Sequence, residues 1–115
     1  MKFTSVQIEI ETVLRALGGT GTMRGFPGII WGVSLALEEP ELLHAVTKRL
    51  YPAVGEIMGM NGQAILRDMR GVVDWCWEKG DRNKLNEVAC RRLMDEPSVG
   101  EFIDMIAGYM RRRGY

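Results

Sequence analysis

The sequence predicts an all-α protein, a compact bundle of about six helices. Three observations carry this reading. Apolar residues recur at three- and four-residue spacings along most of the chain. No stretch shows the period-two alternation of β-branched residues that a half-buried strand needs. Glycines and prolines fall between the periodic segments, where helices begin and end. A chain of 115 residues is long enough for one domain with its own core, and it contains no internal repeat or low-complexity linker.

The first helix is expected over residues 4–17, with Val6, Ile10, Val13, Leu14 and Leu17 on one stripe and Gly18 ending it. A second should start near Thr22 or Met23 and run to about Leu37, with Pro27 in its first turns, where a missing N–H costs least. The third spans "EPELLHAVTKRL", with Pro40 and glutamates at its start and Lys48 and Arg49 at its end, as the helix dipole favours. A short helix is expected from Pro52 to about Met58, then a glycine turn. A long one follows from Gly62 to Lys79, stopped by Gly80. A short helix over about 82–88 and a last one from Ser98 to about Arg112 complete the list.

Composition narrows the function. Hydrophobic residues make up 46% and charged residues 26%, and the 15 basic and 15 acidic side chains cancel. A zero balance argues against a cationic coat that grips any nucleic acid, but it leaves room for a local basic face. No apolar run approaches the ~20 residues that cross a bilayer, and "MKFTSVQIEIETV" lacks the apolar block of a signal peptide. A cytoplasmic protein with no membrane partner is expected. Cys76 and Cys90 fit no metal-ligand spacing and read as reduced thiols packed in helices.

The stretch "RALGGTGTMRGFPG" has five glycines in fourteen residues. It lacks the GxxxxGK[ST] spacing of a phosphate loop, and Gly25 falls one residue too late for GxGxxG; a helix, not a strand, precedes it. It reads as a connector between helices. His44 is the single histidine, mid-helix and without triad partners, and the carboxylate pairs Glu38–Glu39 and Asp95–Glu96 sit at helix ends, as charge caps. No enzyme, cofactor or metal site is expected.

Residues 51–80 stand apart. With Met69 at the centre of one face at 100° per residue, Ile65, Leu66, Val72, Val73 and Cys76 lie within roughly 60° and Trp77 at about 80°. Trp31 and Trp77, each on or beside an apolar stripe, should be largely buried. The opposite face collects Gln63, Arg67, Arg70 and Asp74. Arginine pairs bidentately with guanine and glutamine with adenine, so this front suits a DNA major groove; a solvated helix face is the plainer reading. Gly55 is small where two helices cross and Gly59 permits a turn, which together fit a helix-turn-helix over about 52–79. Backbone N–H groups near Asn61 would meet a phosphate at the helix start. The tail arginines 111–113 complement the dipole of the final helix or touch phosphates.

Three segments carry a family resemblance. "ELLHAVTKRLYP" is similar to ELLxxITKxLYP, "RDMRGVVDWCWEKGD" to RAIRHAIEVAWxRGN, and "PSVGEFIDMIA" to PTNSEFIAM. The connector "LGGTGTMRGF" lines up with IGVPAHIKGY, keeping Gly18 and Gly25. Over nearly its whole length the chain resembles the C-terminal DNA-binding effector domains of the stage 0 sporulation protein A family of transcription factors. The resemblance implies a helical bundle around a helix-turn-helix that binds double-stranded DNA in tandem copies and acts on RNA polymerase. It also implies control from a separate receiver domain, of which this sequence holds none; residues 1–115 are expected to be a single effector domain. Arg67 and Arg70 match two family arginines. Ala64 stands where the family pattern has an arginine, Leu66 where it has glutamate, Asp68 where it has alanine and Gly71 where it has histidine. Two functions follow: a sequence-specific DNA-binding regulator reading through Gln63, Arg67 and Arg70, or an interaction module on the same fold that modulates a full-length paralogue.

Overall fold

The structure, a computed structural model, describes residues 4–115. Among these the chain forms six α-helices and no strand: α1 (Ser5–Ala16), α2 (Phe26–Glu38), α3 (Tyr51–Met58), α4 (Gly62–Lys79), α5 (Arg82–Ala89) and α6 (Val99–Arg112). The all-α bundle is therefore as the sequence predicts, and the long helix α4 has the expected bounds.

Four helix starts follow from residues that accept hydrogen bonds from the first-turn N–H groups. Thr4 and Gln7 form a reciprocal capping box on α1, at 3.2 and 2.8 Å. Ser98 and Glu101 do the same on α6, at 3.1 and 3.0 Å. Asn61 Oδ1 accepts from the Ala64 N–H at 2.8 Å, and Asp81 Oδ1 from the Lys84 N–H at 3.1 Å. Gln7 is the buried polar residue of the described core; besides its cap bond, its Nε2 donates to Ser34 Oγ at 3.3 Å.

The expected third helix is the element that differs. Pro40–His44 is a 3-10 turn, Ala45 leaves helical geometry (φ −147°, ψ 51°), and Val46–Leu50 is a wide π-type turn running into α3. Pro52 supplies a physical reason. An α-helix continued through it would lose the Pro52 N–H bond and press the ring on the carbonyl four residues back. The chain instead widens, and the Tyr51 N–H reaches back five residues to Val46 O. Helix α2 likewise starts later than expected, at Phe26, because Thr20 to Gly25 close tight turns first.

Helix α2 runs through the centre of the bundle and packs on α1, α3, α4 and α6. Ile29, Ile30, Val33 and Ala36 are fully buried on it. A Cβ on Gly32 would stand 2.9 Å from Ile103 Cδ1, so α2 and α6 pack closely at this position. Trp31 and Trp77 are largely buried, as expected, at the edge of this core. Their stripes border the core, and rings of that size reach past its rim. Cys76 is buried on α4, but Cys90 is exposed in a left-handed conformation (φ 58°) just past α5, not packed in a helix. It closes α5 by presenting its N–H to Glu87 O, where glycine is the usual residue.

Candidate nucleic-acid interface

Helices α3 and α4 are joined by a turn of three residues. Gly59 adopts a left-handed conformation (φ 70°), and the Met60 N–H donates to Gly55 O at 2.7 Å. A Cβ on Gly55 would overlap the Met60 carbonyl oxygen, so the turn can fold back this tightly only on glycine. Asn61 is extended and caps α4, which fixes the direction in which that helix leaves.

The back of α4 is anchored by Ile65, Met69, Val72, Val73 and Cys76, all buried. Burial pushes the Cys76 thiol up to about 12, so it stays protonated and unreactive. The front is exposed at Gln63, Arg67, Arg70 and Gly71. Arg67 is 75% exposed, and its Nε lies 3.8 Å from Asp68 Oδ1, too far for a hydrogen bond. Its guanidinium is thus at liberty to engage a base edge. A Cβ on Gly71 would meet nothing within 4 Å, leaving an open notch one turn beyond Arg67.

The other expected contact residues sit elsewhere on the helix. Ala64 is half-buried on a shoulder, and its N–H is taken by Asn61. Leu66 is half-buried against the core; with Thr47, Tyr51, Asn61, Gly62 and Gln63 it lines a hollow of about 270 Å³ beside the start of α4. Asn61 Oδ1 is taken by its cap, and the Gly62 and Gln63 N–H groups remain as uncapped backbone donors of the first turn.

The chain matches the family model described as "Sporulation initiation factor Spo0A C terminal" over residues 10–110. It belongs to that family. Spo0A C-terminal domains are DNA-binding effector domains of sporulation transcription regulators, not enzymes. No helix among the described residues is long and apolar enough to cross a membrane, and no group of three or more His, Cys, Asp or Glu is placed to hold a metal ion.

Within the Spo0A frame, α4 divides into two halves. Its first three turns carry the glutamine and two arginines. Its last turns carry Asp74 and Glu78, and Glu96 comes in from the loop before α6. A hydrogen bond between the Glu96 and Asp74 carboxyls pushes Glu96 up to about 7, helped by burial and by the charges of Asp74 and Glu78 against the pull of Arg70. Glu96 thus faces Asp74 as well as lying just before α6. Glu39 is likewise engaged, 3.0 Å from Arg49 Nη2. On α4, the exposed arginines Arg67 and Arg70 lie in the first half and the carboxylates Asp74 and Glu78 in the second.

Two neighbours of α4 escaped the sequence reading. Thr47, in the widened turn before Pro52, lines the hollow beside Gln63. Trp75 is 46% exposed on the solvent side of α4, although its neighbours in sequence are core residues. The 100° rotation per residue places it about 80° from Arg67, and that signal was available.

Proposed function

We propose that this chain is a sequence-specific DNA-binding transcription regulator, with α3, the Gly59 turn and α4 as its helix-turn-helix and α4 in the major groove. The observation that carries this is the Arg67 guanidinium, three-quarters exposed and without a hydrogen-bonded partner, at the centre of a front that it shares with Gln63 and Arg70. Arg67 would bond the O6 and N7 of a guanine, and Gln63 an adenine one helical turn earlier. Arg70 reaches a base or a phosphate. The uncapped Gly62 and Gln63 N–H groups suit a phosphate at the helix start, where the dipole also favours it. Leu66, at the rim of the hollow, is placed to touch a thymine methyl. The changes from the family pattern at Ala64, Leu66 and Gly71 imply a target site of its own.

As one effector domain, the chain would act in the cytoplasm on double-stranded DNA, in tandem copies, and through contact with RNA polymerase. The test is selection from one randomised duplex library by wild type and Arg67→Ala. The wild type should enrich one sequence. Arg67→Ala should weaken it by about 1–3 kcal/mol and relax preference at a single position. Wild type that enriches nothing overturns the reading and leaves an interaction module on the same fold.

A further inference from the structure

The glycine-rich connector, residues 18–25, plays no part in the base-reading front, yet it is pinned against α4 at both ends. At one end Gly25 lies on the α4 backbone, so closely that a Cβ would overlap the Asp68 carbonyl oxygen. At the other, Gly18 (φ 114°) approaches Gly80; its Cβ would stand 2.9 Å from the Gly80 Cα. Between them the connector is a set of tight turns. Met23 N–H donates to Thr20 O at 3.1 Å, and the Thr20 and Thr22 hydroxyls bond at 2.8 Å. Arg24 is exposed, and among the described residues it has no hydrogen-bond or ion-pair partner. Six of the other ten arginines are hydrogen-bonded: Arg15 to Glu11, Arg49 to Glu39, Arg82, Arg111 and Arg112 to backbone carbonyls, and Arg113 to Tyr109.

Where the connector lies on α4 decides what it faces. At 100° per residue, Asp68 is about 100° round the helix from Arg67 on one side, and Leu66 about 100° on the other. The Leu66 flank is bordered by Thr47 and Tyr51, the Asp68 flank by the connector. A helix about 10–12 Å across fills a major groove about 12 Å wide. Elements on its two flanks then stand over the two phosphate backbones that bound the groove. The Asp68 carboxylate, whose backbone the connector touches, is 11% exposed and turned toward Arg67.

We infer that the connector is a second DNA-contacting element, with Arg24 on a backbone phosphate along the flank of α4 opposite Thr47. This rests on α4 occupying the major groove. A phosphate contact holds orientation and carries no sequence information, so Arg24 acts on affinity and salt dependence, and Arg67 on preference.

The test measures binding of the selected duplex and a scrambled one, from low to 0.3 M salt, for wild type, Arg24→Gln, Arg24→Lys and Arg113→Gln. One lost phosphate contact lowers the slope of log affinity against log salt by about 0.9, which amounts to roughly fivefold at 0.15 M. Arg24→Gln should show this loss on both duplexes with its library preference unchanged, and Arg24→Lys should restore the slope. Arg113→Gln, which removes the same charge at the far end of α6, should do neither. An unchanged slope for Arg24→Gln overturns the inference while leaving the role of α4 intact. So does an equal loss for Arg113→Gln, which would make the effect one of net charge. Wild type that binds neither duplex removes both.

Discussion

The Arg111 guanidinium donates to the carbonyl oxygen of Ala36 at 2.9 Å, tying the last turn of α6 to the last turn of α2. Arg112 does the same for α5, reaching Val88 O at 3.0 Å. Arg82 does it for α4, donating to Trp77 O at 2.7 Å with its guanidinium 3.4 Å from the centre of the Trp77 ring. A helix leaves its last four carbonyls without partners. Here three helices have one of those carbonyls closed by an arginine from another element, where negative partial charge also favours a cation. Arg111 and Arg112 thus join the ends of other helices.

Arg111→Ala and Arg112→Ala should each cost about 1 kcal/mol, the low end for a charged hydrogen bond because both side chains are partly in solvent. Denaturant unfolding measures this. Neither substitution should change the salt slope of DNA binding, and a loss of slope would place the tail on phosphates after all.

Two glycines of similar appearance in sequence should respond in opposite ways. Gly71→Ala adds a methyl group to open space in a helix interior and should stabilise the protein by about 0.5–1 kcal/mol. Gly25→Ala forces a Cβ onto the Asp68 carbonyl and should destabilise by roughly 1–3 kcal/mol or more. Thermal melts of the two variants beside wild type decide the pair.

Glu96 predicts a pH dependence with a definite sign. Its folded value is raised from 4.5 to about 7, so between those limits the folded state binds more protons than the unfolded state. Its contribution is most favourable below pH 4.5 and is lost as pH rises toward 7. Glu96→Gln should flatten that part of the stability curve, seen as a smaller difference between unfolding at pH 5 and pH 7.5. A curve that keeps its full slope in the variant would show that other groups carry it.

Leu66→Glu restores the residue that the family pattern has beside Arg67. A carboxylate can accept from cytosine N4, so library selection should move toward a cytosine at one position. Leu66 is half-buried, and losing part of its burial should also cost about 1 kcal/mol in unfolding. Unchanged preference would keep this residue off the bases.

Free of DNA, the protein should be a monomer or a weak dimer, since copies that meet on DNA need not associate in solution. Sedimentation at nanomolar to micromolar concentration measures this. A tight dimer at nanomolar concentration would favour an interaction module.

Much of this protein was determined by sequence alone, because local chemistry decides helix ends and one helix face. Thr4, Asn61, Asp81 and Ser98 mark starts whose caps need only neighbours within three residues. The three-to-four spacing of Ile65, Met69, Val72 and Cys76 fixes the back of α4, so Gln63, Arg67 and Arg70 must face outward wherever that helix lies. The tertiary structure decided what depends on residues far apart in the chain. The widened turn before Pro52 brought Thr47 beside Gln63, sixteen residues on. Glu96 met Asp74 across a loop, which made the second half of α4 acidic. Arg111 and Arg112, although exposed, found the ends of α2 and α5, 75 and 24 residues away. Gly25 looked like punctuation between helices until Asp68 came within reach of it. Spacing along the chain sets which way a side chain points, but packing alone sets what it meets there.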